Sequence, residues 1–263
     1  MSGAAVPARP PRPRWRTGAL DPLLLAAALL AAWQAAASWT DGVALAAPVP
    51  TLAYLVGMLG TAAFWDNAGA TGAAFLAAFG LSAAIGLALG LLLGLRHFAA
   101  DVMEPVLAGF YTIPKVTLYP VVLLVFGLGA PAKVAFGVMH GLVPVTLFTL
   151  GAVRALPPVL LRTARAMRLR PWEAAWTVLV PACLPAVMDG LRVGFALSLL
   201  GVLIGEMFSS QRGLGFLLVS GLAQHNIRLA TAVVLVIVAG AVLANTLLLR
   251  VGRRITHQDA GRS

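Results

Sequence analysis

The sequence predicts an all-α membrane protein of about six transmembrane helices with both termini cytoplasmic, and three observations carry that expectation. Of 263 residues, 60% are hydrophobic and only 11% charged, against roughly 45–50% and about 25% in soluble domains, so apolar side chains stand where a soluble surface would carry charge. The apolar residues fall into runs of about 20, the length that crosses a hydrocarbon core roughly 30 Å thick. Lys and Arg gather between those runs rather than within them. A soluble domain is excluded, and so is a nucleic-acid binder, in which the excess of 19 Lys+Arg over 9 Asp+Glu would form one basic face of a soluble fold. Cys183, the single cysteine, excludes an internal disulfide and a multi-thiolate zinc site.

The first window is Ala19 to Trp39, where Asp21 and Pro22 suit a first helical turn. The second, Asn67 to Leu95, lies in a stretch from Asp66 to Arg96 with no charge between those two residues. The third, Pro105 to Leu128, is interrupted by Pro114, Lys115 and Pro120 and reads as a broken helix. The fourth runs from Val134 to Val153, the fifth from Ala186 to Phe208 and the sixth from Leu229 to Leu249. Only the connections Thr40 to Asp66 and Arg154 to Pro185 are long. One membrane domain, 19–254, is therefore expected between two tails, 1–18 and 255–263. The first tail, rich in Pro, Ala and Arg, reads as a disordered cytosolic segment able to lie against anionic lipid. A cleaved secretory signal ending at Ala35-Ala36-Ala37 is the other reading, and an apolar run of roughly 20 residues exceeds a signal core.

Orientation follows from the basic residues, because Lys/Arg-rich loops stay in the cytoplasm. With both termini inside, the inner segments hold four arginines before the first span, Arg96, five from Arg154 to Arg170 and four from Arg250 onward. The outer segments hold only Lys133, Arg212 and Arg228, and Lys115 and Arg192 fall within or at the ends of spans.

Catalytic, cofactor and metal motifs are absent. Neither Lys115 nor Lys133 follows a glycine, so no phosphate-cradling Gly-Lys-Ser/Thr loop exists. No Gly-x-Ser-x-Gly elbow, HExxH helix or Cys/His cluster occurs. The chain is expected not to be an enzyme and to hold no cofactor or metal. Ionisable residues inside spans cost roughly 2.5–3.5 kcal/mol each on insertion scales and so are candidates for a pathway. Lys115 between two prolines, His140 in the fourth span and Glu206 near the outer end of the fifth are those candidates. The plainer reading of His140 is a packed, neutral, hydrogen-bonded histidine, and Glu206 either lines an exit or snorkels to water. Asp189 and Arg192, three apart, are expected to pair on one helix face. Ala78, Ser82, Gly86, Gly90 and Gly94 recur every fourth residue, a spacing that lets helices approach closely, either within the subunit or along a dimer seam.

The loop Arg154 to Pro185 reads as two short helices. Pro157-Pro158 opens one that ends near Arg168; Pro171 opens another with Trp172, Trp176 and Leu179 on one face. Such a basic amphipathic segment suits a protein partner or a lipid surface. Its stretch from Thr163 to Pro181, TARAMRLRPWEAAWTVLVP, resembles the loop signature of permease subunits of bacterial binding-protein-dependent ABC importers. That signature is Glu-Ala-Ala, three residues, Gly, nine residues and Ile-x-Leu-Pro. Val178, Val180 and Pro181 set the register, which puts the family's Glu at Arg162, its alanines at Thr163 and Ala164 and its Gly at Arg168. The literal Glu173-Ala174-Ala175 is out of register. Ile113 to Lys133, with its Phe-Gly-x-Gly turn, is similar to the nitrate/sulfonate/taurine branch. So is Leu184 to Leu217, with Pro185, Gly190-Leu191-Arg192, Gly205-Glu206-Met207 and Gly213-Leu214-Gly215. The similarity runs from about Val49 to Arg254.

The resemblance implies a bacterial inner-membrane transport subunit whose loop seats in a cytoplasmic ABC ATPase. The coupling helix would be Arg162, Thr163, Ala164, Arg165, Ala166, Met167, Arg168 and Leu169. It implies a second permease subunit, in a homodimer or pseudo-dimer, an ATPase pair that binds the ATP, and an extracytoplasmic substrate-binding protein. Alternating access would carry a small solute such as a sulfonate, taurine or nitrate. Arg162 reverses the sign of the usual Glu. Arg168 replaces the usual Gly, so the backbone there must avoid positive φ or accept strain. A different class, an ion-gradient transporter or channel using Lys115, His140 and Glu206, is the alternative.

Overall fold

A computed structural model of the protein describes residues 21–260, which are helical with short turns and, among the described residues, without strands. The expected tail 1–18 lies outside them, as do the last three residues of the second tail. In chain order the helices are α1 (Asp21–Trp39), α2 (Pro48–Leu59), α3 (Ala62–Gly94), α4 (His97–Thr112), α5 (Tyr119–Phe126), α6 (Ala130–Arg154), α7 (Pro158–Ala166), α8 (Pro171–Ala174), α9 (Val180–Ser209), α10 (Leu214–Ala223) and α11 (Ile227–Ala260).

Four stretches are long and apolar enough to cross a bilayer: Ala62–Gly94, Ala130–Arg154, Ala175–Ser209 and Ile227–Arg250. The pair His97–Thr112 and Lys115–Phe126, bent by 87° at its break, makes a fifth when counted as one span. The cause of the bend is local. Pro114 drives Ile113 out of the helical region, to φ −62° and ψ 132°, and a single 3-10 turn from Lys115 to Leu118 restarts the chain. The expected first span corresponds to α1, which is apolar but shorter over its described part, Leu23–Trp39. Its leucines, from Leu23 to Leu30, are more than half exposed, as suits a helix facing lipid.

The core is the packing of α6 against α3 on one side and α9 on the other. The small-residue row of α3 is the seam with α6: a Cβ on Gly86 would lie 2.8 Å from Val145, one on Gly90 2.5 Å from Thr149, and one on Gly94 2.7 Å from Val153. Of the two readings of that row, packing within the subunit is the one observed. On the other side of α6, a Cβ on Gly201 would lie 2.9 Å from the Cα of Gly137. Phe136, Val145, Leu150 and Val202 fill what remains and are fully buried. Ser82 and Ser198, also buried, bond to one another across the core at 3.4 Å.

Several boundaries differ from expectation: the connection Thr40 to Asp66 holds α2, α3 starts at Ala62 rather than Asn67, and the helix before the break starts at His97 rather than Pro105. The second loop helix opens at Pro171 but does not stop before the fifth span; it continues through a wider π turn, Ala175–Leu179, directly into α9. Pro181 would press on the carbonyl four residues earlier, at Thr177, and lacks an N–H to satisfy it. Directly before it lies the wider π turn, closed by Val180 N on Ala175 O five residues back, and the two prolines at 181 and 185 sit inside a continuous helical path rather than ending one.

Candidate functional site

At one end of the bundle, three helices converge on Glu206 of α9. Its side chain is fully buried, and its carboxylate accepts from Lys133 Nζ at 2.9 Å, from the Thr71 hydroxyl at 2.8 Å and from the Gly215 amide at 3.0 Å. Lys133, from the first turn of α6, is likewise buried, so both charges are out of water and neutralise each other. The same corner holds the start of α10. Asn67 Oδ1 accepts the Gly213 amide at 2.7 Å, and Thr71 Oγ1 accepts the Leu214 amide at 2.8 Å. Three successive backbone donors at a helix start are thus taken up by side chains of α3 and α9, and the carboxylate also meets the positive end of the α10 dipole. Glycine is required here: Gly213 has φ 128°, and a Cβ on it would lie 2.1 Å from Glu206 Cδ. Tyr119 ties α5 to the same corner by donating to Gly205 O at 2.8 Å and pairing with the Ser209 hydroxyl.

Glu206 is fully buried and therefore does not snorkel to water. Lys133, an outer-loop charge by sequence, is its internal partner. The other two candidates are packed separately. Lys115 Nζ donates to Tyr111 O at 3.0 Å and lies 4.9 Å from the centre of the Tyr111 ring. His140 Nδ1 is 2.9 Å from Phe136 O, with the two rings edge to face at 4.5 Å. No hydrogen bond or ion pair joins Lys115, His140 and Glu206 to one another among the described residues.

At the other end, α7 closes in a turn that answers the question posed by Arg168. Met167 N bonds Thr163 O at 2.9 Å and Leu169 N bonds Ala164 O at 3.1 Å, with Arg168 at φ 53°. This helix ending ordinarily uses glycine. The residue at the glycine position of the signature adopts the glycine conformation without being glycine, so the strain is accepted. Ala164 is buried, whereas Arg162, Thr163, Ala166, Met167 and Arg168 are exposed. The out-of-register Glu173 acts structurally, since its Oε2 accepts the Arg170 amide at 2.8 Å and caps the next helix. Of the three residues expected on one face, Trp176 and Leu179 border one apolar groove, and the Trp172 side chain lies outside the described residues. Nearby, Arg154 bridges Asp101 at 2.6 Å and Glu104 at 2.8 Å, and Arg192 pairs with Asp189 at 3.5 Å.

Span-length apolar helices around a tight core, with an exposed basic turn at one end, define a polytopic membrane protein. Residues 82–257 match the family of binding-protein-dependent transport system inner membrane components, and the chain belongs to that family. It is 32% identical over 194 residues to the riboflavin transport system permease RibX of Chloroflexus aurantiacus, covering 72% of each chain. It is 25% identical over 119 residues to the taurine transport system permease TauC of Escherichia coli, covering 45% of this chain and 43% of that protein. A taurine permease among the relatives agrees with the branch resembled in sequence. A solved structure of the MetNI methionine ABC transporter superposes with a TM-score of 0.54 at 20% identity, over 72% of this chain and 92% of that one, which establishes a shared fold.

Proposed function

We propose that this chain is the transmembrane subunit of an ATP-driven importer in a bacterial inner membrane, with both termini cytoplasmic. It would pair with a second copy of itself and receive a small solute from an extracytoplasmic binding protein. The taurine relative supports an anionic or zwitterionic solute of that size. The chain supplies the pathway and no ATPase site; a partner ATPase binds the ATP. The observation that carries the reading is the turn that closes α7, with Ala166, Met167 and Arg168 exposed, whose left-handed Arg168 stands where the family signature has glycine. This turn would seat on the ATPase, and Lys115 and His140 would face the pathway, while Glu206 holds its wall.

Purification of the tagged chain in mild detergent tests the partnership: a stoichiometric P-loop ATPase is expected. Met167→Glu, at an exposed position, is expected to abolish solute uptake while leaving the protein in the membrane. Uptake that persists in the variant, or that survives ATP depletion and collapses with the proton gradient, would overturn the coupling assignment.

A further inference from the structure

We propose that the apolar groove bordered by Trp176 is a phospholipid site: one acyl chain fills it, and Arg96 and Arg170 hold the anionic headgroup at its mouth. The groove, about 330 Å³, lies between the ends of α3 and α6 and the start of α9. That is roughly twice the volume of an apolar cavity that takes up benzene, and it suits a stretch of flexible hydrocarbon. Leucines and valines make most of its wall, and Cys183 is buried in it. The one hydroxyl in the wall, Thr149 Oγ1, already donates to Val145 O at 2.7 Å, so water finds no partner there. Left empty, the wall would forfeit the dispersion contacts on that side. Hydrocarbon is the filling this chemistry favours.

The depth of the groove is that of a lipid chain. Along α3, Leu91 in the groove wall stands about 30 Å from Thr71, the partner of Glu206. This is the thickness of the hydrocarbon core, so the groove opens near the bilayer surface opposite the Glu206 corner. At its mouth Trp176 is exposed, and its indole N–H has no partner among the described residues. An indole with an apolar body and a free donor settles at headgroup level. Arg96 directly follows Leu95 of the wall, and Arg170 directly precedes α8, which leads into Trp176. Both are exposed, and neither side chain has a partner among the described residues. The acids of the adjoining segments are engaged: Asp101 and Glu104 by Arg154, Asp189 by Arg192, and Glu173 by the Arg170 amide. A second copy standing parallel in the bilayer would bring the same arginines and the same engaged acids. A lipid phosphate brings the missing negative charge with the hydrocarbon attached to it.

The site goes beyond the importer reading and needs only that the chain spans a bilayer. The test places the full chain, with whatever ATPase co-purifies, in nanodiscs of phosphatidylglycerol and phosphatidylcholine in equal amounts. Photoreactive p-benzoylphenylalanine replaces Trp176, aromatic for aromatic, or Leu247, an exposed residue near the inner end of α11 that serves as the reference. Irradiation at position 176 is expected to add one phospholipid, with phosphatidylglycerol favoured about fivefold over its share at position 247. Arg96→Gln together with Arg170→Gln, both at exposed positions, should return the composition at 176 to that at 247. Leu91→Trp, which fills the groove from a half-exposed position and leaves both arginines in place, should do the same. Enrichment that persists in Leu91→Trp would reduce the effect to surface attraction and overturn the acyl-chain groove. Equal compositions at the two positions in the parent chain would overturn the lipid site. A cross-link from 176 to a second copy, or to the ATPase, would make that protein the occupant and overturn it as well.

Discussion

Glu206 and Lys133 meet at 2.9 Å with side-chain exposures of 0% and 5%, although 73 residues separate them in the chain. Removing one partner of such a pair leaves a buried charge uncompensated, which costs about 3–5 kcal/mol. Glu206→Gln and Lys133→Met should each lower the unfolding midpoint in detergent sharply. The double variant, in which neither charge remains and Gln still accepts from Gly215, should be less destabilised than the sum of the two by more than about 1 kcal/mol. Additive losses would show that the two residues act independently.

Close packing along α3 gives a paired test. A Cβ on Gly90 would fall 2.5 Å from Thr149 Cβ and 2.7 Å from Thr146 O, whereas one on Gly80 meets nothing within 4 Å. Gly90→Ala should therefore destabilise by about 1–3 kcal/mol through overpacking. Gly80→Ala should be neutral or stabilising by up to about 1 kcal/mol, since alanine is the better helix former. Equal midpoints for the two variants would refute the seam.

Arg168 invites the opposite experiment. A left-handed non-glycine residue costs roughly 1–2 kcal/mol, so Arg168→Gly should raise the unfolding midpoint, and Arg168→Val, which is β-branched, should lower it. If the arginine is retained for contact with a partner, the glycine variant should be more stable and yet less active in uptake.

The Arg154 bridges to Asp101 and Glu104 are short, but all three side chains are substantially exposed. Arg154→Ala should cost no more than about 1 kcal/mol, and the loss should shrink as salt is added. A larger, salt-independent loss would mean that the bridge is shielded from water.

Much of this arrangement is legible in the sequence because it depends on neighbours along the chain. The break at Pro114 follows from the restriction a proline places on the residue before it. The Phe-Gly-x-Gly turn needs positive φ at Gly127 and Gly129, and both have it, at 72° and 100°. The four-residue spacing from Ala78 to Gly94 presents one face, and that face is the seam. The Asp189–Arg192 pair forms at the expected spacing. What is illegible depends on depth. Counting basic residues by loop says on which side a charge lies but not how far it is buried, so the count places Lys133 in an outer segment and leaves Glu206 open to water. Thr71 gives no local signal at all, since its partner Glu206 is 135 residues away. The clue present in sequence is that Gly205-Glu206-Met207 and Gly213-Leu214-Gly215 lie close together, because glycines that near an acid leave room for a carboxylate to reach backbone amides. Continuation of the helix through Pro181 is hidden for a different reason: a π turn has no compositional mark.

The contact of α6 with α3 sets glycines of one helix against β-branched side chains of the other, Gly86 on Val145, Gly90 on Thr149 and Gly94 on Val153, and this has a mechanical consequence. Long side chains can change rotamer and let helices slide, but a glycine has no rotamer and a β-branched residue in a helix has essentially one, so the seam has no such lubricant. The trio α3, α6 and α9 must therefore translate and rotate as one stiff keel during any transport cycle. Compliance is left to the lightly attached α1 and to the hinge at Pro114, and amide exchange in those segments should outpace exchange in the keel by orders of magnitude.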